Sequence, residues 1–415
     1  MSRKMKYSGV EWIGEIPENW STPKVKYHAL FFNGDRGKNY PGDDDLQSEG
    51  IPFITSNNLH ELVLNINPSI SKYITNECYN RLGGAKIQLN DILFCLRGSV
   101  GICAINKELR DGTVASSLMD VRPVRIDADF LNYYFHSELA NAQTIAYMNG
   151  SCAANLSAEA VSNYYLLLPT NVTEQQQIVH FLDRKCTAID TAIEKTKKSI
   201  EKLEEYKKAV ITKAVTKGID PNTRMKDSGV EWIGEIPEGW EITRNKFYVI
   251  ISHGMDPKTE GDIPVYGSGA ESFKSCGEYK EGPAVLLGRK GATLHIPHYI
   301  TGKYWNVDTA FDVKTKSEDM GLKYFYFLSM CFNYNYYIAK TTLPSMTQFD
   351  YCNMRIPLPS RKEQDIIVSY IEDKCVAIDT AIEKKKKAIE KWEEYKKSLI
   401  YYAVTGKIDC RNEVI

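Results

Sequence analysis

The chain contains itself twice. Residues 8–18 read SGVEWIGEIPE, and residues 228–238 repeat all eleven letters. A longer segment beginning EQQQIVHFLDRKCTAIDTAIEK at Glu174 recurs at Glu363 as EQDIIVSYIEDKCVAIDTAIEK, and 174–220 aligns with 363–409 without a gap, roughly two thirds of positions being identical. The stretches between these repeats, 21–173 and 241–362, differ in length and share almost no sequence. A chain of this kind folds as two related halves, each a variable insert held in a constant frame, so the inserts are the parts that select. The divisions expected are 1–20, a repeated strap; 21–173, the first insert; 174–220, a helical segment; 221–240, the second strap; 241–362, the second insert; and 363–415, the second helical segment.

With 415 residues, 43% hydrophobic and 25% charged, the chain can bury two full cores. No apolar run approaches the roughly 18–20 residues of a membrane span, and MSRKMKYSGV lacks the apolar stretch of a signal peptide. A cytoplasmic protein is expected. The ten cysteines show no C-x-x-C pair and no framework spacing, which reads as reduced thiols and no zinc site. His295 and His298 flank Pro297, which a helical zinc motif would not tolerate, and a surface strand or turn is expected there. The net charge is −1, with 12 Lys and Arg against 15 Asp and Glu in the first insert and 15 against 12 in the second. Nucleic-acid binding therefore requires basic groups gathered on one face, or a partner that supplies phosphate contacts.

The repeated segments carry a heptad pattern. One register places Leu182, Ile189, Thr196, Leu203 and Val210 at d and Cys186, Ile193, Ile200, Lys207 and Ala214 at a. In the second copy d is Ile371, Ile378, Lys385, Trp392 and Leu399, and a is Cys375, Ile382, Ile389, Lys396 and Ala403. Glu- and Lys-rich runs between the stripes favour solvent-facing helix. Thr173 with Gln176, and Ser360 with Glu363, have capping-box spacing, and Gly218 with Pro221 closes the first helix. Each helix spans roughly 65 Å at 1.5 Å per residue. The second insert starts where one helix ends and finishes where the other begins, so only an antiparallel pair spares it from bridging that length. The expected fold is mixed α/β: two globular domains separated by two long antiparallel coiled-coil helices, in a pseudo-two-fold dumbbell. Cys186 and Cys375 then lie far apart and form no disulfide.

The order insert, helix, insert, helix, with SGVEWIGEIPE opening each half and a Pro-rich approach to each helix (LLLPTNVTEQ, IPLPSRKEQ), resembles the specificity subunit of type I restriction-modification systems over essentially the whole chain. The resemblance implies that the inserts are target recognition domains, each reading one half of a bipartite site in double-stranded DNA. It also implies that the helices set the spacer and dock modification subunits, two of them, alongside restriction subunits. S-adenosylmethionine, ATP and Mg belong to those partners, and this chain is non-catalytic with no cofactor. In keeping with that, the chain has no G-x-x-x-x-G-K-[ST] phosphate loop, GDRGK at 34–38 having the wrong spacing.

Within the inserts, ILFCLRGSVGICAI (92–105) and PAVLLGRKGATLHI (283–296) each read as strand, Gly turn with a cation, strand. Arg97, Gly98 and Ser99, and Arg289, Lys290 and Gly291, are candidate DNA contacts, because a guanidinium or ammonium beside open backbone suits a groove edge or phosphate. A turn that merely joins strands is the competing reading. A second correspondence aligns Asn155-Leu156-Ser157 with Ser345-Met346-Thr347. It makes Ser157 and Thr347 helix caps and, with Gln348, further DNA candidates. FYFLSMCFNYNYYIAK at 325–340 reads as a helix packing its aromatic face on a sheet, and the Trp and Ile residues of the strap as packing groups. Two other functions remain open: a coiled-coil adaptor whose inserts grip proteins, and the specificity subunit of a related multi-subunit restriction enzyme.

Overall fold

The structure, a computed structural model, describes residues 3–148, 155–269, 271–338 and 344–412. They divide into two compact units, Met1–Lys195 with Lys387–Ile415, and Thr196–Lys386. No helix among the described residues is long and apolar enough to cross a membrane. The described cysteines are thiols, Cys186 buried and Cys375 half-buried, and Cys152 lies outside the described residues.

In the first unit, strands Ala29–Asn33, Leu118–Pro123, Ile92–Cys95 and Cys103–Ile105 lie side by side in that order, all antiparallel. The two-residue period of a strand sends alternate side chains to opposite faces. Ile92 and Phe94 join Met119, Val121 and the helical residues Phe130 and Tyr134 in one core. Leu93 and Cys95 join Phe53, Ile54 and Ile74 of a second sheet in the other. That second sheet orders Thr113–Val114, Ile51–Ile54, Lys72–Ile74 and Leu46–Gln47. With both faces covered, Ile92–Cys95 is buried at every position, which explains its unbroken apolar run.

The second unit repeats this plan with Val249–His253, Ala310–Thr315, Ala284–Gly288 and His298–Ile300. Val285, Leu287, Phe311 and Val313 face the main core with Tyr324 and with Phe325 and Leu328 of the aromatic segment. One expectation is corrected here. The strand returning after Ala284–Gly288 is His298–Ile300, not 293–296, because the turn is longer than its counterpart and holds Leu294 as a buried plug. The last two residues of the aromatic segment lie outside the described residues.

The repeats form helices Val172–Lys217 and Arg361–Val404. In the first unit Leu182, Cys186, Ile189 and Ile193 pack with Leu399, Ile400, Ala403 and Val404. In the second, Ile211, Ala214 and Val215 join Ile367 and Ile371, with Val210, Ile378 and Ile382 also buried. Within each unit the helical segments run antiparallel. In the first, Lys396 meets Asp190 while Leu399–Val404 share a core with Leu182 and Cys186; in the second, Lys207 meets Asp379 while Ile211–Val215 share one with Ile367 and Ile371. Leu203, Ile200, Ile389 and Cys375 are half-buried. Trp392 departs from the expected seam: it is 40% exposed, because two helices alone cannot enclose an indole, and it rests edge-on against Tyr395.

Both helices carry glutamate at their third position. The first starts two residues earlier than Thr173 would set it: Asn171 is the cap, its Oδ1 accepting from Thr173 N at 2.9 Å and its carbonyl from Glu174 N. Asparagine caps at least as well as threonine. At the second helix Ser360 Oγ accepts from Glu363 N at 3.4 Å. Glu174 then accepts from the Trp20 indole N–H at 3.1 Å and from Arg3, while Glu363 accepts from the Trp240 indole at 2.9 Å. Each strap tryptophan also touches the glycine that ends a helix in its unit. Gly406, at φ +69°, lies against Pro17 and Trp20, and Gly218, at φ +72°, against Pro237 and Trp240. The strap thus ties a helix start to a helix end in each unit.

Candidate nucleic-acid interface

Strand Ile92–Cys95 runs into a tight turn in which Gly98 (φ +77°) and Gly101 (φ +91°) adopt backbone that other residues rarely tolerate. The turn is held from the side. Arg97 bridges Asn155 as an isolated β-pair, Leu156 N donates to Leu96 O at 2.9 Å, and Arg97 Nε donates to Asn155 Oδ1 at 3.3 Å. Ser157 follows, its Oγ accepting from Ala160 N at 3.0 Å as the cap of Ala158–Ser162. Arg97, Gly98, Ser99 and Ser157 are exposed.

The second unit builds the same junction. Lys290 bridges Ser345, Met346 N donates to Arg289 O at 2.9 Å, and Gly291 (φ +113°) donates its N–H to Pro344 O. Lys290, with its following glycine, is therefore the counterpart of Arg97. Arg289 is committed elsewhere, its guanidinium donating to Asp308 Oδ2 at 3.2 Å and to Asp308 O at 3.1 Å. Thr347 caps Gln348–Asn353 in a full capping box with Asp350. Gln348 Nε2 donates to Ile251 O, which holds its side chain against the first sheet strand.

The two correspondences seen separately in the sequence are thus one site in each unit. The turn and the pre-helix segment are the two walls of a cleft, of about 480 Å³ in the first unit and about 330 Å³ in the second. A third wall was not found from the sequence. In the first unit it is Asn33–Arg36, and in the second His253, at the end of the equivalent strand. A glycine makes this wall possible each time: a Cβ on Gly34 would stand 2.2 Å from Ala115 O, and one on Gly254 2.1 Å from Val307 O. The only sequence signal was a strand ending in x-Gly, too short to register against divergent surroundings. Phe349, 75% exposed at the rim of the second cleft, was also missed.

The clefts share a frame but not a chemistry. The first presents Arg36, Arg97, Asp35 and Asn155. Asp35 is held by the Arg36 and Gly83 amides, and Arg36 reaches Ser116 O. The second presents Lys290, His253, Thr347, Gln348 and Phe349. Donors and acceptors at this scale match base edges and phosphate oxygens. Among the described residues no cluster of three His, Cys, Asp or Glu side chains could hold a metal ion; His298 is half-buried in its strand and His295 exposed in the turn before it.

Comparison with known proteins bears on the family and the fold. The family model described as type I restriction modification DNA specificity domain matches residues 21–205 and 237–391. The type I restriction enzyme MjaVIII specificity subunit of Methanocaldococcus jannaschii is 24% identical over 96% of this chain and 95% of its own. The putative MjaX specificity subunit of the same organism is 25% identical over 95% of each. Two solved structures share the fold. A chain from work on assembly and conformational transition of the type I R-M system superposes with a TM-score of 0.73 at 14% identity, covering 95% of this chain and 99% of that one. The HsdS subunit from Thermoanaerobacter tengcongensis does so with 0.53 at 15% identity, covering 95% and 98%.

Proposed function

The chain belongs to the type I restriction-modification DNA specificity family, and from that premise we propose that the two clefts are where it reads DNA. It is the specificity subunit of such a system and a non-catalytic one. Residues 21–173 and 241–362 are the target recognition domains, each reading one half of a bipartite site in double-stranded DNA. The long helices form the spacer between the readings and dock two modification subunits, with restriction subunits completing a cytoplasmic assembly. S-adenosylmethionine, ATP and Mg act on those partners.

One observation carries the reading: the same two chain segments meet in both units, while the side chains they present differ. A constant frame with variable letters is what two unlike half-sites require. Arg97 and Lys290 suit guanine O6 and N7 or a phosphate, and Gln348 has its Oε1 left to accept from a base. Gly98 and Gly291 keep the backbone open at the point of approach, Ser99 stands exposed on the turn, and Ser157 has its hydroxyl proton left to donate at the rim, while the Thr347 hydroxyl is taken up by its capping box with Asp350.

The test exchanges residues 21–173 for the insert of another family member and sequences the methylated sites in cells that carry the matching modification subunit. One half of the recognised site is expected to change, with the other half untouched. A change in both halves overturns modular reading, and duplex binding that does not weaken as salt rises overturns DNA reading itself.

A further inference from the structure

Asp35 lines the first cleft with its carboxylate held in place and its charge unpaired. Both oxygens accept from backbone amides, Oδ1 from Arg36 N at 2.7 Å and Oδ2 from Gly83 N at 2.8 Å. The chain leaves no slack around this loop, since a Cβ on Gly84 would stand 2.5 Å from Asp35 N and 2.9 Å from Asn33 O. The neighbouring cations are engaged elsewhere. Arg36 donates to Ser116 O, and Arg97 to Asn155 Oδ1. Lys86, close enough to feel the Asp35 charge, donates to Tyr79 O and lies over the Tyr79 ring. An ionised carboxylate only accepts and has room for about four donors, so Asp35 keeps acceptor capacity to spare.

The shared frame does not ask for this charge. Asp35 follows the wall glycine Gly34, and at the same place behind Gly254 stands Met255. Met255 is 57% exposed, its amide donating to Asn306 O and its carbonyl accepting from the Trp305 indole. One wall is thus finished with a carboxylate and the other with a thioether. Phosphate does not explain the carboxylate, because like charges repel. In the major groove its fitting partner is an exocyclic amino group, which only cytosine and adenine present there. Adenine sets its N7 acceptor beside that group, lone pair towards the carboxylate, whereas cytosine sets a C–H there.

We propose that Asp35 is a specificity-determining residue, which selects cytosine at one position of the half-site read by the first insert by accepting from its N4 amino group. The proposal rests on the cleft reading and deepens it. Arg97 and Arg36 attract guanine or phosphate, and Asp35 adds rejection: guanine O6 or thymine O4 at that position would face a fixed carboxylate, acceptor against acceptor. The second insert, with Met255 in this place, lacks that device.

The test uses the full chain with the modification subunit of its own system. Methylated sites are sequenced for the wild type, Asp35→Asn and Arg97→Ala, and duplexes with each base in turn at every position of the first half-site are titrated. The wild type is expected to require one cytosine, on either strand. Exchanging it for another base, or for a pyrimidinone that lacks only the 4-amino group, weakens binding roughly tenfold or more. Asp35→Asn, which keeps an acceptor for one amide and adds a donor, admits other bases at that position alone; the second half-site and the salt dependence stay as they were. Wild-type binding indifferent to loss of the amino group at every cytosine overturns the proposal, and this measurement needs no variant to fold. So does uniformly tighter binding of Asp35→Asn to all duplexes with selection unchanged, which would show a carboxylate that only repels phosphate. Sites altered by Arg97→Ala but not by Asp35→Asn sink the role of Asp35 alone, and sites altered by neither sink the cleft as a reader of DNA.

Discussion

Lys396 places its Nζ 2.7 Å from both carboxylate oxygens of Asp190 on the facing helix. In the other unit Lys207 stands 2.8 Å from both oxygens of Asp379. Each lysine occupies an a position, where an ammonium buried without a partner is costly, and each aspartate occupies the e position that an antiparallel neighbour brings beside it. The pair therefore sets direction and register more than it adds stability.

Asp190→Ala is expected to cost about 0.2–1 kcal/mol, because Asp190 is half exposed and solvent screens the pair. The swap Asp190→Lys with Lys396→Asp should recover most of that loss, whereas either reversal alone should cost more. Denaturant melts of the double-mutant cycle measure the coupling, and a coupling near zero removes the pair's claim on register.

The two helix-ending glycines are not equivalent. A Cβ on Gly406 would fall 2.4 Å from Pro17 Cγ, whereas one on Gly218 has its nearest neighbour, Trp240, at 3.5 Å. Gly218→Ala should lose about 1 kcal/mol, the cost of a left-handed backbone. Gly406→Ala should lose at least twice as much and loosen the strap. Trp20→Ala, which opens a cavity and strips an indole donor from Glu174, should lose about 3–5 kcal/mol. Chemical unfolding ranks the three.

At the clefts, Lys290→Ala should weaken binding to all duplexes and lower the slope of log affinity against log salt by about 1 if it meets a phosphate. Arg97→Ala should instead relax preference at one or two positions of a single half-site, at about 1–3 kcal/mol per lost base contact. Titrations against a panel of half-site variants at three salt concentrations separate these outcomes.

Asp120 is buried at the centre of the first sheet beside Asp91 and 3.3 Å from Arg122, which Asp91 already holds at 2.8 Å. Burial, with the Asp91 carboxylate second, pushes its pKa up to about 9 from an ordinary 3.8. For an acid whose folded pKa is raised, the folded state keeps the proton longer than the unfolded chain. The stabilisation is thus complete below pH 3.8 and is lost as pH rises towards 9. Asp120→Asn keeps the neutral form at every pH. Its melting temperature relative to wild type should climb between pH 6 and pH 9, and a constant difference would show that Asp120 is ionised throughout.

Much of this protein could be read before any fold was known. The duplication, both long helices, their register with lysine at a, and the helix-ending glycine at 218 are properties of short windows or of spacing, which is where a helical period and a repeated phrase reside. The junction at the clefts was half legible: both of its segments stood out, but as two unrelated coincidences. The first cap was misplaced because Asn171 and Thr173 are both good capping residues, and in the folded chain it is the Asn171 side chain that takes the amide at the helix start.

By itself, then, the sequence determined that two halves share a frame of amphipathic helices and straps and differ in what they hold, because these follow from local pattern and from likeness between the copies. Tertiary structure alone decided that Arg97 meets Asn155 across 58 residues, that Gly34 and Gly254 press against a neighbouring carbonyl to form the third wall, and that each strap indole takes a glutamate at a helix start. Such contacts depend on how sheets and helices stack to exclude water, and stacking leaves no periodic mark on the residues it brings together.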